Sequence, residues 1–337
     1  MQKTVSIIIP FHNESVYTVF NVLSSINNQI GINFEKVEVI LVNDGGPELP
    51  NGEATFKLLK NLDLTYLRSS EGHGPGPARQ LGMDHAHGQY FMFMDADDQF
   101  HIDGALLDFF NAAAEADYDV IAGKYIEQAK DINTHALYYV FHNNNENYSF
   151  VSKWFNRNLI DRYHIRWADD LRVFEDTYFV GLAMELATKV KKMDAVSYTW
   201  LFNSHSTGRS TGKLGISFND RLHIWSRCRR YFLESIQKYK PGRLEDYFVK
   251  YVADIYYRQK RFVPVDKVSF MEEHVRLLHE FSALWIPARG RIMQSILADN
   301  QQGATYAGFD NQDAIKFLFE TEQYVQGKQF SVKEVMR

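Results

Sequence analysis

The sequence predicts an α/β domain, built on a mostly parallel sheet flanked by helices, followed by a mainly α-helical C-terminal region. Over the first half of the 337 residues, short apolar runs rich in β-branched side chains alternate with segments of helical periodicity. Strands and helices that alternate in this way form parallel sheets covered on both faces. From about Leu214 onward only amphipathic helical patterns recur. We therefore expect two domains, residues 1–213 and residues 214–337.

Each predicted strand ends close to a polar or glycine-containing turn. The predicted strands comprise residues 5–9, 37–42, 65–67, 90–94 and 120–126. The predicted helices comprise residues 16–26, 77–87, 102–116, 216–239, 244–261, 269–285 and 310–324, with breaks near Pro241, Pro264 and Pro287. Ligands of parallel sheets bind beyond the carboxyl ends of the strands, so the segments 10–13, 43–46 and 95–98 are expected on one rim.

The amino-acid composition and net charge narrow the range of protein classes to which the chain could belong. The net charge of -5 argues against a general binder of polyanions, and a hydrophobic content of 45% is ordinary for a globular protein. The single cysteine, Cys228, cannot form an intrachain disulfide, which fits a reducing compartment. The chain starts without the pattern of a signal peptide and has no apolar run of about 18 residues. We expect a cytoplasmic protein that is able to contact a membrane surface peripherally.

The strongest chemical motif is the acidic run Asp95-Ala96-Asp97-Asp98, which follows the apolar strand at 90–94. Three carboxylates in four residues repel one another unless a cation or water screens them. Oxygen ligands of this kind suit Mg²⁺ or Mn²⁺, with water and substrate phosphates completing the coordination. The alternative is a solvated acidic turn that caps the following helix. The position after a buried strand of an α/β domain favours the metal site.

Two further positions are candidates for contact with a nucleotide. Asp44 ends a predicted strand and could accept hydrogen bonds from a base or ribose, or simply form a turn with the glycines that follow it. Arg79 ends the segment 71–79, which is rich in Gly and Pro and leads into a helix, and such a loop lets the backbone approach a ligand closely. Arg79 could meet a base carbonyl or a phosphate, or be a solvated side chain of a surface loop.

The second half of the predicted catalytic domain adds four candidates. Glu175 and Asp176 begin a helix, and are either a general base near the metal or the acidic cap of that helix. His205 is a candidate metal ligand in the polar segment 203–215. Arg209, in the same segment, could close over a pyrophosphate after the donor binds. The segment could equally be an interdomain linker.

Together these motifs resemble glycosyltransferase family 2, the inverting enzymes with a GT-A (Rossmann-like) fold. The matching segments are residues 5–14, 42–45, 76–80, 95–98 and 174–176. The resemblance implies nucleotide binding by Pro10, Phe11, Asn13, Asp44, Arg79, Asp95 and Arg209. It also implies metal binding by Asp97 and Asp95, and catalysis by Asp176 as the general base with Glu175 beside it. Gln80 stands where the family commonly has Asn.

The resemblance implies a metal-dependent inverting glycosyltransferase that moves a sugar from a nucleoside diphosphate to a hydroxyl of a glycan or anionic polymer. UDP is the expected nucleotide because the family uses it most. Three alternatives stay open: glycosylation of DNA with modified bases, a non-catalytic carbohydrate-binding or scaffold protein, and a nucleotidyltransferase that makes sugar nucleotides. The last would carry a Gly-rich basic loop after the first strand, where this chain has Pro10-Phe11-His12-Asn13.

The acceptor is expected to contact aromatic and basic residues. One candidate wall comprises residues 154–157 and 164–167. A second comprises residues 221–261, which hold eleven Lys and Arg against four Asp and Glu, interleaved with eight Tyr and Phe. Such a surface could hold an anionic polymer, a lipid-linked phosphate glycan or, as the lesser option, nucleic acid. The alternatives are an ordinary helical bundle with solvated basic faces, or a homo-oligomer interface.

Overall fold

The computed structural model describes residues 2–49, 55–131, 133–204, 218–301, 311–329 and 331. The chain divides into two compact units, Met1–Ser204 and His205–Arg337. The domain boundary that the sequence predicts, between residues 213 and 214, falls in the stretch 205–217, which lies outside the described residues. His205 and Arg209 lie in the same stretch, so their metal-binding and pyrophosphate-binding roles stay predictions.

The first unit alternates strands and helices. Its strands are Val5–Phe11 (β1), Val37–Asp44 (β2), Leu64–Ser69 (β3), Tyr90–Phe93 (β4), Gln99–Phe100 (β5), Val120–Lys130 (β6), Leu137–His142 (β7), Lys153–Asn156 (β8) and Val190–Trp200 (β9). Its helices are Val16–Asn27 (α1), Pro75–His85 (α2), Ala105–Glu115 (α3), Arg157–Tyr163 (α4) and Glu175–Leu186 (α5). Helix α2 begins two residues earlier than predicted, because Gly74 adopts a φ of 103° and Pro75 fits the first turn.

The described strands of this unit form one sheet in the order β3-β2-β1-β4-β8-β6-β9-β5, with β7 paired to β6. Strands β3, β2, β1 and β4 run parallel to one another, and β6 runs parallel to β9. Strand β8 lies antiparallel between β4 and β6, and β5 and β7 are antiparallel to their partners. The predicted α/β class is confirmed, and the sheet is mixed. Its antiparallel strands beyond β4 are the part that the sequence did not predict.

The core of the first unit lies on both faces of the central strands. Every residue of β1, β2, β4 and β8 is buried. Helix α2 packs on β1 and β2, and α3 packs on β6 and β9. A strand that is covered on both faces needs an almost continuous apolar run, which is the pattern of β1 and β2. This packing holds the carboxyl ends of β1, β2 and β4 at a fixed edge.

The second unit is helical in its described part. Its helices are Leu222–Tyr239 (α6), Leu244–Arg261 (α7), Lys267–Glu280 (α8), Trp285–Gln301 (α9) and Asn311–Val325 (α10). The predicted break near Pro287 is present a few residues earlier, between Glu280 and Trp285. Pro287 itself lies in the first turn of α9, where a missing N–H costs no helical hydrogen bond. None of the helices that the structure describes is long and apolar enough to cross a membrane.

Most aromatic side chains of the basic stretch 221–261 belong to the core of this second unit. Five of the eight are buried, namely Phe232, Phe248, Tyr251, Tyr256 and Tyr257. Arg230 is buried too, and it pairs with Glu234 and Glu273. The aromatic acceptor surface predicted here is therefore wrong for these side chains, because α6 packs against α8, and α7 against α9.

Candidate active site

The loops at the carboxyl ends of β1 and β2 contact one another and the loop before α2. Nδ1 of His12 lies 2.7 Å from the backbone oxygen of Asp44. Gly46 approaches the carbonyl of His12 so closely that a Cβ at this position would overlap it. The carboxylate of Asp44 accepts hydrogen bonds from the backbone N–H groups of His73 and Gly74, at 2.9 and 2.7 Å. Asp44 therefore fixes the Gly-rich loop in front of α2, and its predicted contact with the base stays a prediction.

The residues predicted to contact the nucleotide after β1 differ in exposure. Pro10 and Phe11 are buried within the strand, and the ring centroid of Phe11 lies 6.3 Å from that of Tyr66. Asn13 is exposed just beyond the strand. Of the three, Asn13 is the residue whose side chain is presented to solvent at this rim. Their roles toward a nucleotide stay predictions.

Arg79 connects the acidic run to the start of α5. Its guanidinium donates hydrogen bonds to Asp95 at 2.7 Å and to Glu175 at 3.0 Å. The ring centroids of Phe150 and Trp167 lie 4.2 and 4.9 Å from its central carbon, and the side chain is only 3% exposed. Burial lowers the pKa of Arg79, but the neighbouring carboxylates outweigh burial and raise this pKa. Arg79 is thus a buried cation held between two carboxylates, and its predicted contact with the base stays a prediction.

The carboxylates of Asp95, Asp97 and Asp98 form a cluster, in which one oxygen of each lies within 4.8 Å of the others. Asp98 is buried, and both of its oxygens accept hydrogen bonds, from the Tyr198 hydroxyl at 2.7 Å and from the N–H of Leu201 at 2.8 Å. Burial, and then the charges of the other two carboxylates, raise the pKa of Asp98 well above its ordinary value. Asp98 therefore orders the turn that presents the other two.

The remaining oxygens of the cluster fit a hard divalent cation. Among the described residues, hydrogen bonds engage one oxygen of Asp95, from Arg79, and one of Asp97, from Asn203 at 2.7 Å. Burial, and then the charge of Asp95, raise the pKa of Asp97, because both add to the free-energy cost of its ionised form. A bound cation would remove that cost, and Mg²⁺ and Mn²⁺ prefer oxygen ligands. Asp97 and Asp95 thus offer the oxygen atoms that such an ion prefers, and their role as metal ligands stays a prediction.

The start of α5 places two carboxylates beside Arg79. Phe174, the residue before the helix, has a φ of 64°, a left-handed conformation that is costly for a bulky side chain. Glu175 is buried against Arg79. Burial, and then the charge of Glu175, raise the pKa of Asp176 to about 7. A carboxylate that titrates near neutrality is able to accept a proton at physiological pH. The strained backbone at Phe174 sets the start of α5, and so the direction of the Glu175 and Asp176 side chains.

The aromatic wall predicted at 154–157 and 164–167 is wrong for its large side chains. Trp154 and Phe155 are fully buried in β8, and Trp167 is buried as well. The ring of Trp167 stacks on Phe179 of α5, with centroids 4.3 Å apart. Trp167 also covers the guanidinium of Arg79. Trp167 thus holds Arg79 and α5 in position, whereas Trp154 stacks on Phe109 of α3, and none of these rings forms an open surface for an acceptor.

Three side chains of the site were missed by the sequence reasoning. Tyr198 and Asn203 contact the acidic cluster from β9 and the segment that follows it, about 100 residues further along the chain. Phe150 covers Arg79 from the turn before β8. No local motif marks these positions. The positions of Tyr198 and Asn203 depend on the pairing of β9 with β5, whose two residues are too few to give a strand pattern.

The comparison with known families settles which family this chain is part of. The sequence model described as Glycosyl transferase family 2 matches residues 6–176, just over half of the chain. The chain therefore belongs to glycosyl transferase family 2, as the motifs in its sequence indicate. The fold, an α/β domain of GT-A type with a helical C-terminal region, agrees with this membership.

Two curated relatives are named as glycosyltransferases. The chain is 25% identical over 224 residues to the uncharacterized glycosyltransferase EpsJ of Bacillus subtilis. The match covers 61% of this chain and 63% of EpsJ. It is 26% identical over 197 residues to the poly(ribitol-phosphate) beta-N-acetylglucosaminyltransferase TarP of Staphylococcus aureus. This match covers 52% of this chain and 56% of TarP. The chain thus spans less than two thirds of the length of these relatives.

A solved structure shares the fold. Residues 1–349 of S. aureus TarS, crystallised in complex with UDP-GlcNAc, match with a TM-score of 0.63 and 16% identity. The match covers 91% of this chain and 94% of that chain. At this level of identity the likeness concerns the fold.

Proposed function

We propose that this chain is a metal-dependent inverting glycosyltransferase, which transfers a sugar from a UDP-sugar to a hydroxyl of a polyol-phosphate or glycan polymer. The observation that carries the proposal is the bridge of Arg79 between Asp95 and Glu175. This bridge unites a cation-binding cluster and a candidate base, which lie far apart in the sequence, in one site. The substrate classes are supported by relatives, since TarP is named for poly(ribitol-phosphate) and TarS was solved with UDP-GlcNAc.

Asp176 is the proposed general base. It accepts the proton of the acceptor hydroxyl while the hydroxyl oxygen bonds to the anomeric carbon of the sugar. The bond from that carbon to the UDP oxygen breaks, and UDP leaves with the electron pair. Attack from the face opposite the leaving group inverts the anomeric centre. A positioned base contributes about 10²–10⁴-fold to the rate of such a step.

Asp97 and Asp95 are the proposed ligands of Mg²⁺ or Mn²⁺. When bound there, the ion would neutralise the negative charge that develops on the leaving pyrophosphate. Arg79 holds Asp95 in place through the 2.7 Å hydrogen bond. Asp98 holds the turn through Tyr198. Each of these contacts reduces the freedom of the ligands before the donor binds.

The remaining predicted contacts complete the proposal. Asn13 and Asp44 lie on the joined loops and are proposed to contact the nucleotide. His205 and Arg209, outside the described residues, are proposed as a further metal ligand and as a pyrophosphate contact. A cytoplasmic location, peripheral membrane contact, nucleic acid as an alternative acceptor and oligomerisation through the C-terminal helices stay predictions from the sequence.

The experiment measures UDP release from UDP-GlcNAc with Mn²⁺, with and without poly(ribitol phosphate) as acceptor. We expect acceptor-dependent release by the unmodified chain, abolished by EDTA. The Asp176→Asn variant should lose transfer by at least about 100-fold while it still binds the donor. A matched control is Asp84→Asn, because Asp84 is an exposed carboxylate on α2 that pairs with Arg166 outside the site. Near-normal transfer by Asp176→Asn would sink the assignment of the base.

A further inference from the structure

A cavity of about 260 Å³ lies in the first unit between α2, β4, α4 and the segment that follows α4. Its apolar lining comes from Met83, Phe91, Ile160 and Ile165. Phe91 belongs to the amino-terminal half of β4, whereas the acidic run follows the carboxyl end of that strand. The residues that line this cavity, which we call the α2–α4 cavity, therefore differ from those of the candidate active site.

Arg157 brings a cation with an unused hydrogen-bond donor to this cavity. Its Nε donates to the carbonyl of Gly88 at 2.8 Å, and its guanidinium lies 4.4 Å from the ring centroid of Phe91. Its Nη2 is buried, and within the described part of the chain no hydrogen bond engages that atom. A buried donor without a partner is costly, and an oxygen atom of a ligand or of water would remove that cost.

The protein compensates the charge of Arg157 less completely than that of Arg79. Burial lowers the pKa of Arg157, and the charges of Asp161 and Glu38 offset this effect only in part. For Arg79, by contrast, the neighbouring carboxylates outweigh burial. The guanidinium at the α2–α4 cavity thus has capacity for a further polar partner.

A carboxylate and an imidazole at the same cavity are also open. Asp161 and His164 both line it, and both are exposed. Among the residues that the structure describes, no hydrogen bond or ion pair engages either side chain. Asp161 lies in the last turn of α4, where a negative charge is unfavourable to the helix dipole. Helix stability therefore does not account for this carboxylate.

The other charged pair on the lining is closed on itself. Nη2 of Arg166 donates to both carboxylate oxygens of Asp84, at 3.0 and 3.1 Å. The open groups are therefore one cation, Arg157, one anion, Asp161, and the imidazole of His164. An anionic ligand would be repelled by the carboxylate, and a cationic ligand by the guanidinium. Hydroxyl groups both donate and accept hydrogen bonds, so a neutral polyhydroxylated ligand satisfies the two charged groups together.

We propose that the α2–α4 cavity binds one sugar unit that is already attached to the acceptor polymer. The inference rests on the proposed function and deepens it, because a sugar on the polymer is the product of the transfer. Hydroxyl groups of the sugar engage Nη2 of Arg157 and the carboxylate of Asp161, while Met83 and Ile165 contact its C–H groups. The volume lies just below the range of about 300–1,000 Å³ for small-molecule sites, which suits a single compact ring.

Such a site holds the polymer between successive transfers. A polymer that is bound through one transferred sugar remains attached to the enzyme after UDP has left. The next free hydroxyl of the same polymer is then present at a raised effective concentration. The expected consequence is tighter binding of a polymer that already carries sugars.

The methyl group of Met83 reports on the cavity directly. The full chain is labelled with ¹³C at the methionine methyl groups, and N-acetylglucosamine is titrated in while UDP and Mn²⁺ fill the donor site. We expect a saturable shift of the Met83 resonance, assigned from its absence in Met83→Leu, while the resonance of Met193 in β9 stays in place. No shift of Met83, or a shift with inorganic phosphate and none with the sugar, would overturn the proposal.

Two variants change exposed groups of the cavity. Asp161→Asn removes the carboxylate, and His164→Gly removes the imidazole at a φ of 49°, a left-handed conformation that glycine adopts readily. Each should raise the Kd measured from the Met83 shift about fivefold or more, because each removes a hydrogen bond to the sugar. Arg162→Gln is the matched control, since Arg162 is an exposed neighbour on α4 outside the lining. Equal Kd values for Asp161→Asn and Arg162→Gln would overturn the proposal.

The polymer distinguishes an attached sugar from a free one. Poly(ribitol phosphate) that carries N-acetylglucosamine should bind about tenfold more tightly than the bare polymer in calorimetry, and Asp161→Asn should abolish this difference. Equal Kd values of the two polymers for the unmodified chain would overturn the proposal, because the cavity would then accept free sugars alone. The Met83 shift requires no turnover. A chain that released no UDP would refute the proposed function, whereas normal turnover without a Met83 shift would refute the sugar site alone.

Discussion

Removing the charge of Arg79 should destabilise the first unit strongly. In Arg79→Met, the buried carboxylate of Glu175 loses its cation, and Asp95 loses its 2.7 Å hydrogen bond. Breaking a buried ion pair from one side costs about 3–5 kcal/mol, and the partial exposure of Asp95 favours the lower end, about 3 kcal/mol. For a unit of this size, each kcal/mol lowers Tm by about 2–4 °C. We therefore expect a loss of about 6–12 °C in Tm by differential scanning calorimetry.

An exposed arginine provides the matched control for this change. Arg166 pairs with Asp84 at 3.0 Å, and its side chain is 60% exposed. Surface pairs contribute about 0–1 kcal/mol, so Arg166→Met should lower Tm by less than about 4 °C. Adding Glu175→Gln to Arg79→Met removes the charge left unpaired and should recover part of the lost Tm. If Arg79→Met melted at the same temperature as Arg166→Met, the reasoning about the buried bridge would be refuted.

Three further outcomes follow from the site and its supports. Burial and the charge of Glu175 raise the pKa of Asp176 to about 7, so the proposed base is protonated below that pH. We therefore expect kcat/KM for transfer to fall as the pH decreases through about 7, and a fall that begins only near pH 4 would contradict this. Asp97→Asn should raise the Mn²⁺ concentration needed for half-maximal activity, as measured by metal titration, and an unchanged value would exclude Asp97 as a ligand. Gly46→Ala should destabilise the chain in thermal melts, since the added Cβ would overlap the His12 carbonyl. Gly290→Ala should stabilise the chain by up to about 1 kcal/mol, because the space around Gly290 in α9 is open and Ala has the higher helix propensity.

The sequence was informative where chemistry and fold are encoded locally. The strands β1, β2 and β4 are almost continuous apolar runs, and polar residues follow at their carboxyl ends, so the rim they form could be predicted. Asp97 and Asp95 follow one of these strands directly, and their cluster is present in the structure. Family membership was predicted from the same motifs and is confirmed by the family match.

The sequence was uninformative where position depends on distant pairing. Trp154 and Trp167 have the composition of a binding wall, but β8 lies inside the sheet and α5 packs over Trp167, so both rings are buried. The aromatic residues of α6 and α7 could belong to an acceptor surface, to a helical core or to an oligomer interface, and helix packing places most of them in the core. The stacking of Tyr125 on His142 depends on the register of β6 with β7, which no local pattern reveals.

The most direct test of the central claim is a calorimetric titration of UDP-GlcNAc into the chain, with and without Mn²⁺, for the unmodified protein and for Asp97→Ala. The account predicts binding that depends on Mn²⁺, is lost in Asp97→Ala and is retained in Asp176→Asn. Binding that was indifferent to both Mn²⁺ and Asp97 would contradict the metal site. If neither UDP-GlcNAc nor any other nucleotide sugar bound, the account of this site as a glycosyltransferase active site would be wrong.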